Sequence, residues 1–372
     1  MSNYHKSKER ILFILHLPPP IHGAALVGKY IESSTLINKE FCTRYINLAT
    51  STKLTESGKG SIKKVVGLFK IQLEIIRALL KNRFDLCYVT LNSSGPGFYK
   101  DLLVVILLKI FQKKTIYHFH NKGVALSEKS KINHFLYRFV FKDSKCILLS
   151  PKLFYDIKHY VEENNVYYCP NGVSFKKGVD YIQLTRQLDM CRLLFLSNMM
   201  KDKGVLVLLD ACKLLKEKGL SFTCDFVGGW ADITEEAFNR VVVENGLFDI
   251  IKAHGPKYDQ EKSDFYAKAN VFVLPTYNDA FPLVHLEAMH HGLAIVSTSE
   301  GGIPDIVVDE QTGFLVPKGD VLALVQKLEL LILDPRLREK MGIEAKKRFE
   351  NFFTLERFEQ NLTSILKKAI TD

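Results

Sequence analysis

Asp279 and Glu287 stand eight positions apart around a proline, in the run Thr276-Tyr277-Asn278-Asp279-Ala280-Phe281-Pro282-Leu283-Val284-His285-Leu286-Glu287. The apolar residues 271–274 before it read as a buried strand, and Pro282 suits the first turn of a helix. The free N–H groups at the start of such a helix, near Phe281–Val284, form an anion site strengthened by the helix dipole. Glu287 is flanked by Leu286, Ala288 and Met289, so its carboxylate is directed rather than simply solvated, and it can accept both hydroxyls of a ribose. Gly301-Gly302, after the next strand, allows backbone to come close to a ligand, although a plain tight turn uses the same residues.

The elements that must position these groups alternate along the whole chain. Strands are expected at 11–15, 84–90, 115–119 and 146–149, then at 192–196, 222–227, 250–254, 271–274, 294–297 and 313–316. Helices are expected at 23–33, 61–81, 101–111, 132–141 and 152–161, then at 204–218, 235–243, 262–267, 282–291 and 321–333. Pro335 opens a further helix and Thr354 caps the last. This is an α/β chain of two doubly wound, Rossmann-like domains facing a central cleft, with ligands expected beyond the carboxyl ends of the strands. The division expected is 1–173 for the first domain, 174–190 for a linker and 191–350 for the second domain. Residues 351–372 form a terminal helix packing back on the first.

Composition narrows the function classes. The chain has 372 residues, 47% of them hydrophobic and 25% charged, which is ordinary globular composition. Its net charge of +10 suits a phosphate-rich ligand, an anionic membrane surface or nucleic acid. The seven cysteines are scattered and form no Cys-x-x-Cys pair, reading as reduced thiols of a cytosolic protein rather than a disulfide framework or zinc site. Residues 1–10 are polar and read as no signal peptide, and the longest apolar stretch, 102–111, is broken by Lys109 and is far short of a membrane span. Any membrane contact is therefore expected to be peripheral. Lys63, Lys64, Lys70, Arg77, Lys81 and Arg83 make residues 61–83 a basic amphipathic helix. Such a helix is a solvated face, a face for an anionic leaflet or, less in keeping with the absence of interleaved aromatics, a nucleic-acid contact.

Two motifs are decoys. Gly23-Ala24-Ala25-Leu26-Val27-Gly28-Lys29 has phosphate-loop spacing, but Tyr30 stands where a magnesium-binding Ser or Thr belongs, and the four intervening residues look like a buried helix turn. There is neither a Gly-x-Gly-x-x-Gly fingerprint nor an Asp-x-Asp, so neither a simple dinucleotide site nor a metal-chelating sugar-nucleotide site of that kind is expected.

Residues 274–289, with Gly292, Gly301-Gly302-Ile303-Pro304-Asp305 and Gly313-Phe314-Leu315-Val316, resemble the retaining glycosyltransferases of family 4, the group 1 enzymes of GT-B fold. The resemblance implies a transferase moving a sugar from a nucleotide-diphosphate sugar to an acceptor hydroxyl with retention, without a metal or other cofactor. It assigns Glu287 to the ribose and Asp279, where the family has glutamate, to the donor sugar near the reacting carbon. Lys203, in Leu196-Ser197-Asn198-Met199-Met200-Lys201-Asp202-Lys203-Gly204, matches the lysine that neutralises the diphosphate; Asn198 stands where an arginine is common, with Lys201 a substitute for the missing charge. Gly23, in the loop after the first strand, would approach the diphosphate. His120, in Tyr117-His118-Phe119-His120-Asn121, matches a histidine near the donor sugar and shares a strand face with His118. Donor-binding residues are thus Gly23, Asn198, Lys203, Phe281, Pro282, Leu283, Val284 and Glu287, and catalytic ones Asp279 and His120. The partners implied are a nucleotide sugar and a glycan or lipid-linked acceptor, as in bacterial surface polysaccharide synthesis, with the enzyme cytoplasmic at the inner membrane face. A non-catalytic binding protein of the same fold, or a sugar-nucleotide epimerase, is the alternative.

Overall fold

The computed structural model describes residues 8–20, 22–49, 62–175 and 190–372. It divides into one unit formed by Met1–Gly172 with Leu355–Asp372, and a second formed by Val173–Thr354. Most of the expected linker, 176–189, lies outside the described residues.

The first unit runs β1 (Arg10–Leu15), α1 (Gly23–Ser33), α2 (Thr35–Glu40), β2 (Cys42–Asn47), α3 (Ile62–Lys81), β3 (Leu86–Thr90), α4 (Gly95–Ile110), β4 (Thr115–His118), α5 (Val124–Ser127), α6 (Lys131–Phe141), β5 (Lys145–Leu148) and β6 (Val166–Tyr168). Its six strands are parallel in the order β2-β1-β3-β4-β5-β6. The central strands are wholly apolar where both faces are covered: Ile11 to Leu15 and Leu86 to Val89 are buried. The phosphate-loop decoy resolves here. Residues 23–28 are already helix, and a Cβ on Gly28 would lie 2.0 Å from the His16 carbonyl oxygen, so this glycine lets α1 lie against the end of β1.

The second unit runs β7 (Cys191–Leu196), α7 (Val205–Glu217), β8 (Phe222–Val227), α8 (Glu235–Glu244), β9 (Ile251–Ala253), α9 (Asp259–Lys268), β10 (Val271–Leu274), α10 (Leu283–His290), β11 (Ala294–Thr298), α11 (Ile303–Ile306), β12 (Gly313–Val316), α12 (Val321–Leu333) and α13 (Pro335–Phe352). Its strands are again parallel, in the order β12-β11-β10-β7-β8-β9. The last helix, α14 (Leu355–Thr371), returns to the first unit. There Lys367 Nζ donates to Glu40 on α2 at 2.5 Å, Lys114 to the Ile370 carbonyl at 2.8 Å, and Tyr167 to Asp372 at 2.8 Å.

Two expected elements differ. The helix at 152–161 is instead a short 3-10 turn, Pro151–Asp156. At its end the Asp156 carboxylate accepts the N–H groups of Gly123, Val124 and Ala125 at 2.8–3.1 Å, which caps α5. The helix expected at 101–111 begins at Gly95, because Pro96 in its first turn starts it.

Candidate active site

In the second unit the groups singled out lie beyond the carboxyl ends of β7, β10 and β11. After β10 the chain turns through residues 275–282 and enters α10, with Pro282 as the residue before the first helical position. The turn is braced from two sides. Thr276 Oγ1 donates to the Asp202 carbonyl at 3.0 Å, and the Tyr277 N–H to the same oxygen at 2.7 Å. Gly301 adopts φ +53°, and a Cβ there would lie 2.2 Å from the Asp279 carbonyl oxygen, so only glycine lets the two loops touch.

This bracing brings Lys203 to Asp279. The ammonium and the carboxylate oxygen are 2.5 Å apart, both side chains about one-fifth exposed, and Lys203 also donates to the Asn278 carbonyl at 3.3 Å. Lys203 closes the short helical turn 201–203, and Gly204 follows at φ +79°, with its backbone against Pro275. Asn198 is exposed at the start of that loop, where its carbonyl accepts the Met200 N–H at 2.8 Å, while the Lys201 N–H donates to Asp232 at 3.0 Å. Phe281 is buried beside the start of α10; the N–H groups of Leu283 and Val284 open the helix, where the intrahelical ladder supplies no acceptors.

Glu287 lies one turn further along α10 and is only 7% exposed. Its Oε1 is 2.6 Å from Lys262 Nζ, and its Oε2 accepts the Tyr266 hydroxyl at 2.8 Å. A carboxylate held by two donors on α9 is fixed in direction and still has lone pairs to offer a diol. Neither Lys262 nor Tyr266 was foreseen from the sequence; they come from a helix 21 and 25 residues away. His285, wholly buried behind the site, bonds Ser297 Oγ at 2.8 Å, and burial, with Lys203 adding to it, pulls its pKa down to about 3.

In the first unit His120 and Gly23 belong to a different kind of group. Gly23 opens α1, and the preceding His22 caps it, Nδ1 accepting the Ala25 N–H at 3.3 Å. His120 lies against His118 with ring centres 4.2 Å apart and the planes tilted by 38°. Burial, chiefly, and His22 pull the His120 pKa down to about 3. His118 is also held well below the usual range by burial; its Nδ1 meets the Tyr88 hydroxyl at 2.6 Å. His16 and Lys100, which the sequence reading passed over, complete the cluster: Lys100 Nζ lies 3.2 Å from His16 Nε2 and 3.3 Å from the buried Asp101. Among the described residues His16 Nδ1 and His120 Nδ1 are buried without a partner. The signal that could have found His16 is its place: it and His22 flank the Pro18-Pro19-Pro20 loop. Among the described residues no three His, Cys, Asp or Glu side chains are grouped to hold a metal ion.

Comparison with known proteins bears on the family and the fold. Residues 183–348 match the family model described as glycosyl transferases group 1. The capsular polysaccharide biosynthesis glycosyltransferase CapM of Staphylococcus aureus is 25% identical over 323 residues, spanning 82% of this chain and 83% of that one. Among solved structures, sucrose-phosphate synthase from Thermosynechococcus elongatus superposes with a TM-score of 0.75 at 18% identity, covering 98% of this chain and all of the other. HepE of Anabaena, in complex with UDP and glucose, superposes with a TM-score of 0.70 at 16% identity, covering 97% and 100%. These two likenesses establish the fold, two parallel Rossmann-like sheets of GT-B type, and residues 183–348 are similar to the glycosyl transferases group 1 family.

Proposed function

We propose that this glycosyltransferase moves a sugar from a nucleotide-diphosphate sugar to an acceptor hydroxyl with retention at the anomeric carbon and without a metal ion. The observation that carries the reading is the Lys203–Asp279 pair at the entrance to α10. With no donor present, each charge satisfies the other. An arriving diphosphate offers Lys203 a doubly charged partner and lies against the N–H groups of Leu283 and Val284. That exchange frees the Asp279 carboxylate to take a hydroxyl of the donor sugar. Charge that builds on the diphosphate as the glycosidic bond breaks is then stabilised by Lys203 and the helix start, a purely electrostatic assistance. Glu287, oriented by Lys262 and Tyr266, holds the ribose. His120, neutral at physiological pH, offers the sugar a hydrogen bond, and Gly23 lets backbone approach the phosphates.

The acceptor in this reading is a glycan, as suits the likeness to a capsular polysaccharide transferase, made at the inner face of a membrane. Two measurements test it. Thermal shifts with UDP, GDP, ADP and CDP select the donor. The product's anomeric coupling, followed by NMR in excess chelator, then reports stereochemistry. Retained configuration with full activity is expected; inversion, or loss of activity restored by magnesium, contradicts the proposal.

A further inference from the structure

The first unit leaves a large apolar surface uncovered on two neighbouring helices. On α6 the exposed ridge is Ile132, Phe135 and Phe139, at helical spacing, with Ile132 and Phe135 69% and 70% exposed. On α4 it is Tyr99, Leu103 and Ile110, the last 68% exposed. The two ridges are side by side. Tyr99 donates to Asn133 at 2.7 Å, and Lys109 donates to the Lys142 carbonyl at 2.6 Å while lying 5.4 Å from the centre of the Phe139 ring. Helix α3, packed against α4, continues the face with exposed Val65 and Phe69. A helix face of this kind on a water-soluble domain marks a docking surface.

Its charge selects the occupant. Residues 95–142 carry nine lysines and arginines against two carboxylates. Of those two, Asp101 is buried and Glu128 is engaged by His159 at 2.9 Å; Asp143, just beyond, is the exposed acid at the rim. Lys131, Arg138 and Lys142 form a basic stripe on α6, at spacings of seven and four, directly beside the apolar one. A symmetric partner copy would set this stripe against itself. An anionic leaflet accepts both features at once: the apolar ridge enters the acyl boundary while the long basic side chains reach the headgroups. Among the described residues no helix is long and apolar enough to cross a membrane.

We propose that the α4–α6 face of the first unit, with Ile132, Phe135 and Phe139 as its inserting residues, docks this chain on an anionic lipid surface. This deepens the membrane-face part of the functional reading, moving the principal contact from the basic helix α3 to the neighbouring pair. It is tested without donor or acceptor, so its fate is separate from that of the transferase assignment.

The experiment is flotation of the full chain with vesicles of phosphatidylcholine alone or with phosphatidylglycerol. Binding to the phosphatidylglycerol vesicles, fading as salt rises, is expected. Ile132→Ser with Phe135→Ser should lower the partition coefficient about tenfold or more, given the apolar area each withdraws. Lys131→Glu with Arg138→Glu should remove the preference for the charged lipid, while Lys368→Glu on α14 should change nothing. A second readout needs no loss of binding. With the single tryptophan replaced as Trp230→Phe, the Phe135→Trp variant should be quenched by brominated lipid. Equal partition to neutral and anionic vesicles, absent quenching, or a dimer in ultracentrifugation that the ridge variants dissociate would each overturn the proposal.

Discussion

The two sheets present opposite chemistry beyond their carboxyl ends. In the second unit the groups are ion pairs: Lys203 with Asp279, Lys262 with Glu287, Lys318 with Glu300. In the first they are desolvated histidines, His16, His118 and His120, held neutral by burial and set around a single lysine–aspartate pair. Paired charges can be exchanged for a charged ligand at small net cost, because an incoming phosphate or diol replaces a partner rather than finding a bare ion. Neutral imidazoles suit uncharged hydroxyls. The paired charges of the second unit thus suit phosphate, ribose and, through Asp279, a sugar hydroxyl, as proposed above, while the imidazoles of the first suit uncharged hydroxyls.

The largest effect should come from Lys203→Ala. Removing the cation that meets the departing diphosphate should cost about 10²–10³ in turnover, the scale for one lost transition-state donor, with nucleotide affinity reduced as well. Steady-state transfer alongside calorimetry checks this. A loss confined to affinity would make Lys203 a binding group only.

Next in size is acid sensitivity, which separates the units. A buried histidine with a lowered folded pKa stabilises nothing by titrating. The native state refuses a proton that the unfolded chain accepts, so stability is whole above the unfolded value of about 6.5 and falls below it. Each such histidine costs about 1.4 kcal/mol per pH unit, continuing down to its folded pKa, about 3 for His120. The first unit has four imidazoles that burial holds below the usual range, His16, His22, His118 and His120, and the second has two, His285 at about 3 and His290 at about 4. Hydrogen exchange at pH 7.5 and 5.5 should show protection in β1, β3 and β4 falling more than in β7, β10 and β11. Equal loss would erase the contrast.

A smaller effect is expected at Glu287. Glu287→Gln keeps a partner for the Tyr266 hydroxyl and should weaken nucleotide binding by about 1–3 kcal/mol. Glu287→Ala is the poorer probe, since it also leaves the buried Tyr266 hydroxyl and the part-buried Lys262 without their shared partner and so costs stability. Unchanged affinity in the Gln variant would remove the ribose assignment.

How far these features were legible in the sequence follows from where the information lies. Strands such as Phe222–Val227, Val271–Leu274 and Gly313–Val316 were found at their observed bounds because each is a short run, alternating or wholly apolar, ended by a turn. The edge strands of the first sheet escaped notice. β2, Cys-Thr-Arg-Tyr-Ile-Asn, is polar and half exposed, and β6 is three residues long; both take their strand character from a neighbour rather than from hydrophobicity. The start of α10 was legible because local spacing carries it, and Asp279 and Lys203 were singled out through the family resemblance of the segments around them. Lys262, Tyr266, His16 and Lys100 were not, since each acquires its meaning from a partner that only the fold brings near. The exposed ridge of α6 was hidden for a related reason: apolar residues at helical spacing read as core until the structure leaves them uncovered.

The central claim is that Asp279 exchanges Lys203 for the donor sugar. It is tested most directly by single-turnover transfer with the donor chosen by thermal shift, measured together with nucleotide affinity for Asp279→Asn. This change keeps shape and removes charge. Transfer should fall at least tenfold more than affinity does, the pattern of an interaction strongest in the transition state, and Asp279→Glu should retain activity. If Asp279→Asn transfers sugar as fast as the parent chain, the carboxylate serves only to hold Lys203 and the account is wrong at its centre.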